Sequence, residues 1–592
     1  MKIHADYEII MTLFIVGTES MGMNKSKYSA AKQNLLISLV INAVLLGIFL
    51  CFFTPYCETN DDFLISNFVN GAITEKSSRL IFINIIIGTL LKGLYTFAPA
   101  VPWYALLQYT MLFASFTAIT WILLQRYERA PALALAIGII SVFGLDAYIC
   151  FQFTKTTAVA TVSGVMLMFY SLGKEKGTKG RSIPMTIGII LAFLGGMFRY
   201  HEFLAAGAVV CWIIIDPLTD AIKHGEGVKD KLRRVFDTVK PFILLLLLFA
   251  AARVIDNAAY KSPEWAEYKE YSKARVQVLD HGTPSYDTYE DGYKALGISR
   301  DFFTRIYSWN FYDPDKFDTE TFYNIAALRG ERKLIGGDTA VIDFFPICVP
   351  DLIREWCFAG LVLATAVWLF FGRHDLRLII SILLSSAVCL CLFIYFFLSE
   401  RWGAYRVEYG IILALTAVVL YYIPGGKTHK WQISTAAILV LTIALQCVYM
   451  SEWKDNFTYY RDNRENIIKQ REAMQTLTDD GHLIMLDSCI LMLSKDFYNS
   501  QPLLGSAIPG SADKLVTMGG WHITPDTVRN LSQYGVRNPY KDIVNNPEVY
   551  LQTQAIDSFL SCIREYVPDA EATLVEPLSS QTGLSVYSIT AK

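Results

Sequence analysis

The sequence predicts an α-helical polytopic membrane protein with about eleven transmembrane helices and a C-terminal extracytoplasmic α/β domain. Three observations carry this prediction: repeated apolar runs long enough to cross a bilayer, basic clusters in alternate connections, and two long hydrophilic segments falling on one side. Of 592 residues, 53% are hydrophobic and only 18% charged, too apolar for a soluble chain of this length. The net charge of -3 supplies no field that would draw nucleic acid, and that partner is excluded from the reading.

Residues 1–32 form a cytoplasmic segment ending in Lys25, Lys27 and Lys32. The apolar run behind them is long enough to span, so it reads as a retained helix and not as a cleaved signal. Runs follow at about 33 to 53, 103 to 124, 131 to 150, 156 to 172, 183 to 198, 203 to 215, 239 to 255, 352 to 371, 376 to 398, 406 to 423 and 432 to 450. They are uniformly apolar, without the alternation of a membrane strand, so each reads as a helix.

The stretch 80 to 98 is also apolar but contains Lys92. Basic clusters decide its course. Lys25, Lys27 and Lys32; Arg126 and Arg129; Lys174, Lys176, Lys179 and Arg181; Lys223, Lys229, Lys231, Arg233 and Arg234; Arg373 and Arg377; and Lys427 and Lys430 share one side only if 80 to 124 makes a single crossing. The stretch is therefore expected along the surface, although Lys76 and Arg79 then fall outside. The alternative is that it crosses and that 183 to 215 is miscounted. The expected layout is a multi-pass cell-membrane protein with its N-terminus inside. A transmembrane region occupies 33–450, with outer loops at 54–102 and 256–350, and an extracytoplasmic domain occupies 451–592, long enough to bury a core.

The 256–350 loop interleaves charge with Trp265, Tyr268, Tyr271, Tyr286, Tyr289 and Tyr293, then reads Trp309-Asn310-Phe311-Tyr312-Asp313-Pro314. Such aromatics suit an interfacial belt or sugar stacking, and the belt is the plainer reading. The tail opens with a charged helix through Arg461, Arg464, Lys469 and Arg471, followed by the strand-like His482-Leu483-Ile484-Met485-Leu486 and turn signals at Pro509-Gly510 and Gly519-Gly520. Most cysteines lie in or beside apolar runs without metal-ligand spacing; Cys489 and Cys562 lie in the tail, where an oxidising compartment would let them pair.

Polar residues at the outer ends of these runs are the candidates for chemistry. Glu58, Asp61 and Asp62 directly follow the first run, and carboxylates crowded at the membrane boundary are candidates for a general base. Lys155 sits in a very short connection, where a cation can hold a phosphate oxygen or merely snorkel. Arg199, His201 and Glu202 fill the only break in an apolar stretch, and arginine suits bidentate recognition of phosphate or carboxylate. Arg401 and Arg406, with Glu400, Trp402 and Glu408, form a similar patch that also fits an interfacial anchor.

With the first outer loop carrying Asp61 and Asp62 just after the first helix, the layout resembles the GT-C superfamily of integral membrane glycosyltransferases. The resemblance implies a GT-C-like fold and inverting transfer of a sugar from a polyprenyl-phosphate donor to an extracytoplasmic glycan, lipid or protein. It implies that Asp61 or Asp62, with Glu58 beside them, accepts the acceptor's proton, while Lys155, Arg199 and Arg401, with Arg406, His201 and Glu202 around them, attend the lipid phosphate. Some members of the superfamily need a divalent cation such as Mg2+ or Mn2+; the outer segments contain no second acidic motif for one, so the reading here requires no metal. Trp453 and Trp521 are expected either to bind acceptor glycan or, more plainly, to pack. The alternatives are a polysaccharide polymerase or ligase, which shares the substrates, and a lipid-linked saccharide flippase or transporter, which predicts charges near mid-membrane.

Overall fold

The computed structural model describes residues 25–72, 74–330, 341–371, 376–399, 401, 403–423, 430–462, 464–488, 514–579 and 583–592. The helices that matter below are α1 (Lys25–Phe52), α2 (Asn60–Asn70), α3 (Ile85–Phe97), α4 (Trp103–Arg126), α5 (Arg129–Ile149), α6 (Phe153–Leu172), α7 (Lys179–Phe198), α8 (Tyr200–Lys223) and α9 (Val228–Ala259). They continue with α10 (Pro263–Leu279), α11 (Phe344–Arg354), α12 (Phe358–Phe371), α13 (Leu376–Leu398), α14 (Tyr405–Tyr421), α15 (Lys430–Asp462) and α16 (Arg464–Asp479). Among the described residues, eight helices are long and apolar enough to cross a membrane, nine if α11 and α12 count as one broken span.

Helices α6 and α14 fall outside that number, α14 for its 17 residues and α6 for its polar side chains, and both form the inside of the bundle. Every residue from Phe153 to Ser171 and from Glu408 to Tyr421 is buried. A helix surrounded by other helices need not be apolar enough for lipid, so α6 can carry Lys155, Thr156, Thr157, Thr161 and Ser163. With these two, the crossings match the eleven runs of the sequence. Helix α6 packs on α7 through a seam of small residues: a Cβ on Gly188 would stand 2.6 Å from the Gly164 carbonyl oxygen. That close approach fixes the end of α7, where Arg199 follows.

Within 80 to 98 the chain forms a short helix, α3, in keeping with a stretch laid along the surface. Its 13 residues reach only about 20 Å, short of a hydrocarbon core of roughly 30 Å. Asn84 caps it by accepting from the Ile86 N–H at 3.0 Å, and Phe97 at its far end is 86% exposed. The run 352 to 371 differs from expectation. It is broken at Glu355, whose backbone is extended, and the helices on either side are bent by 87°. Trp356 holds the break, its indole donating at 2.8 Å to the Val142 carbonyl of a π-helical turn in α5.

The two ends of the bundle differ in charge. At one end Lys176 pairs with Asp237 at 2.5 Å, Arg377 with Asp220 at 3.0 Å, and Arg126 lies 4.0 Å from the Tyr421 ring centre. The candidate residues and the soluble domain occupy the other end. A five-stranded sheet of order β4-β3-β5-β7-β6 forms that domain: β3 (Leu483–Leu486), β4 (Leu515–Thr517), β5 (Val549–Thr553), β6 (Glu571–Ser579) and β7 (Leu584–Thr590). Strand β3 pairs in parallel with β4 and β5, while β7 runs antiparallel to β5 and β6.

The sheet does not bury its core alone. Phe302, Ile306, Phe311 and Phe322 of the loop before α11 share one cluster with Leu483, Met485, Val516, Leu551 and Phe559. Asn310 clasps the two segments, donating to Asp487 Oδ1 at 2.7 Å and accepting from the Ser488 N–H at 2.7 Å. The aromatics of this loop are therefore interior, not a membrane belt: Tyr286, Tyr293 and Phe311 belong to the shared core, and Trp265 and Tyr268 pack with Tyr260 beside it.

Candidate active site

A two-residue parallel ladder builds the site. Strand β1 (Tyr56–Cys57) pairs with β2 (Cys150–Phe151), and the Glu58 N–H continues it to the Phe151 carbonyl at 2.9 Å. This ladder lays the loop after α1 against the connection into α6. Glu58 thereby meets Lys155 in an ion pair, and Lys155 also donates to Asp146 Oδ1 at 2.7 Å and to the Cys150 carbonyl at 3.3 Å. Asp146 follows the π-helical turn Ile140–Gly144 and takes a second bond, at 2.5 Å, from the Tyr405 hydroxyl.

An ammonium has three protons; Lys155 donates to Asp146 and to the Cys150 carbonyl and stands in ion-pair contact with Glu58. The phosphate role expected for Lys155 is thus not supported by its surroundings: it is a fully buried latch joining α5, α6, α14 and the first outer loop. Lys155→Met leaves the Asp146 carboxylate buried and unpaired, so stability should fall by about 3–5 kcal/mol. Adding Asp146→Leu should recover most of that loss. Thermal melts in nanodiscs check both, and a double variant no more stable than Lys155→Met would refute the latch.

Asp62 is buried beside this latch at 1% exposure. Its Oδ1 accepts from the Tyr104 hydroxyl at 2.8 Å, the Phe153 N–H at 3.1 Å and the Gln108 amide at 3.3 Å. Burial nevertheless pushes its carboxyl up to about 8, outweighing the donors that pull it down. The folded chain gives up this proton near 8 and the unfolded chain near 3.8, so the stability it confers is complete below about 3.8 and lost as pH rises through 8. Unfolding free energy should therefore fall more steeply between pH 5 and 8 in the wild type than in Asp62→Asn, by up to about 1.4 kcal/mol per pH unit, which thermal melts across that range check. Equal slopes would contradict a protonated Asp62.

Asp61, one residue earlier in α2, is only half-buried and points differently. Its Oδ1 accepts from the Trp521 indole at 2.9 Å, and its Oδ2 has no hydrogen-bond partner among the described residues. Within electrostatic reach lies Arg199, which also senses Arg406, Glu202 and Asp62. Arg199 sits in extended backbone at the junction of α7 and α8, its guanidinium 5.0 Å from the Phe153 ring centre and 5.4 Å from that of Phe82. Its Nη1, the Nε of Arg406 and the Oε1 of Glu202 are buried without hydrogen-bond partners among the described residues. Glu202, 3% exposed, is packed so tightly on Gly410 that a side chain there would collide with its carboxylate.

His201 and Arg401 form the rim of this patch. The His201 ring is exposed at the start of α8 among Arg199, Arg253 and Arg401, and Arg401 pairs with Asp280 at 3.2 Å. Glu400, Trp402 and Cys489 lie outside the described residues. On the other side of the latch a cavity of about 380 Å³ is lined by Asp351, Arg354, Glu355, Gly403, Glu408, Glu452 and Trp453. Its acidic lining is electrostatically opposite to the arginine patch. No group of three or more His, Cys, Asp or Glu among the described residues is arranged to hold a metal ion.

The structure thus gathers Glu58, Asp61, Asp62, Lys155, Arg199, Glu202 and Arg406 at one end of the bundle and divides them between a latch and an arginine patch. Sequence reasoning missed Asp146, Tyr104, Gln108 and Tyr405. Asp146 and Gln108 carried a readable signal, each being a polar side chain inside an apolar run, where such residues seek partners.

No family model matches the chain, and no curated protein matches it in sequence. Among solved structures, the chain is similar to ArnT from Cupriavidus metallidurans, crystallised with undecaprenyl phosphate bound, at 11% identity and a TM-score of 0.40 over 93% of this chain and 97% of that one.

Proposed function

We propose that the chain is a membrane glycosyltransferase that moves a sugar from a polyprenyl-phosphate donor to an extracytoplasmic acceptor. One observation carries the reading: two half-buried arginines, Arg199 and Arg406, each keep a buried nitrogen without a hydrogen-bond partner among the described residues, and Arg199 lies within electrostatic reach of a half-exposed carboxylate, Asp61. Like charges brought together away from water favour an anion, and a lipid phosphate at the membrane boundary has the right charge and depth. The basic clusters at the opposite end of the bundle favour an outward-facing site by the positive-inside rule.

In this reaction an acceptor hydroxyl attacks the anomeric carbon from the face opposite the phosphate, inverting it. The bond between that carbon and the phosphate oxygen breaks, and its electron pair stays on the phosphate. Asp61 takes the hydroxyl proton through Oδ2, and Arg199 and Arg406 meet the charge that grows on the leaving group. Asp62 and Glu58 act behind Asp61, the first holding the start of α6 and the second closing the Lys155 latch. His201, Glu202 and Arg401 border the phosphate.

Native mass spectrometry of the purified protein with polyprenyl phosphate tests the binding step directly. The expected result is a bound lipid phosphate that Arg199→Gln and Arg406→Gln each weaken; retention unchanged in both variants would remove the phosphate site. Proteoliposomes supplied with polyprenyl-phosphate sugars then read the transfer.

A further inference from the structure

We propose that Trp521 is a positioning residue for Asp61, so that the C-terminal domain completes the reaction centre from 460 residues away. The inference rests on Asp61 being the proton acceptor. Trp521 follows strand β4 but does not join the cluster of its neighbours Met518 and Ile523; it belongs to the cluster that the membrane helices share with Leu486 and Leu515 of the sheet. Two glycines turn it outward. A Cβ on Gly519 would stand 2.9 Å from the Phe311 nitrogen, and Gly520 adopts a φ of +97°, which side chains rarely tolerate.

The indole is then held on every side. Its edge meets Phe82 at 5.0 Å between ring centres and Phe68 at 5.9 Å, and its carbonyl accepts from the Tyr268 hydroxyl. Close by, the Ser77 hydroxyl donates to Asp526 Oδ2 at 2.8 Å, a second link between the first outer loop and the tail. Phe82 also lies under the Arg199 guanidinium, so one ring sets both the group that holds Asp61 and the group that faces the phosphate. With its N–H on Oδ1, Trp521 fixes the Asp61 carboxylate and leaves the other oxygen, Oδ2, to take the proton of an attacking hydroxyl. Simple packing of a tryptophan would require some partner for the N–H, but not that oxygen of that residue.

Two measurements test this, one of them independent of any substrate. Trp521→Phe keeps a ring and deletes the donor. In thermal melts of the full-length protein, Asp61→Ala and Trp521→Phe should each lower the melting temperature, and the double variant should fall no further than the worse single one. In transfer assays, Trp521→Phe should lower kcat about tenfold to a hundredfold with the KM for the lipid-linked sugar within about twofold. Additive melting effects, or non-additive ones with kcat unchanged, overturn the positioning role. Coupled melting in a protein that transfers no polyprenyl-linked sugar would instead discard the glycosyltransferase reading and leave the docking contact standing.

Discussion

Asp61→Asn should lower kcat for sugar transfer by about 10²- to 10⁴-fold while polyprenyl phosphate still binds. Asparagine preserves the shape of the side chain and an oxygen that accepts from the Trp521 indole, so the docking of the tail is kept and only proton acceptance is lost. The comparison with Asp62→Asn gives the test its force. Both are adjacent acids of one helix, but Asp62 is 1% exposed and has its oxygens turned to Tyr104, Gln108 and Phe153, so no acceptor reaches it. Its variant should alter the pH dependence of stability and leave turnover within about tenfold of wild type. If Asp62→Asn abolished transfer and Asp61→Asn did not, the assignment of roles would be reversed.

Arg199→Gln should lower kcat by about 10²- to 10³-fold, the effect of removing one donor from a developing oxyanion, without lowering thermal stability. The second half of this expectation separates a functional group from a structural one. Arg199 lies within electrostatic reach of Arg406, and a half-buried like-charged pair with a buried, unpartnered nitrogen on each side chain works against the fold. Removing one charge relieves that repulsion, and Glu202 remains to meet Arg406. A melting temperature that fell by several degrees together with activity would mean that Arg199 is a scaffold residue. Lys155 provides the contrast, since two carboxylates and a carbonyl surround its ammonium and its loss should show as instability.

The difference between these two cations was not legible in the sequence. Both stand at the end of an apolar run, and a run of hydrophobic residues reports only that lipid or protein surrounds it. Asp146 was the residue to distinguish them, because a lone carboxylate within 131 to 150 needs a partner, but its spacing to Lys155 spans a helix end, a strand and a helix start. Likewise Gly519-Gly520 was readable as a turn, but nothing local says that the turn delivers Trp521 to Asp61. The break at Glu355 was invisible for the same reason, since the residue that stabilises it, Trp356, bonds to Val142 more than two hundred positions away.

By itself the sequence determined where the long apolar helices run, which of their polar ends lie together, and that 80 to 98 is set apart from the long runs. Those follow from properties each segment carries alone: apolar length against bilayer thickness, and the sign of charge in each connection. Only the tertiary structure decided which polar side chains satisfy one another and which are left facing the site, and that the loop before α11 shares its core with the tail. These depend on pairwise geometry between distant segments, and in a low-dielectric interior that geometry separates an ion-paired latch from two guanidinium groups that each keep a buried nitrogen without a partner among the described residues.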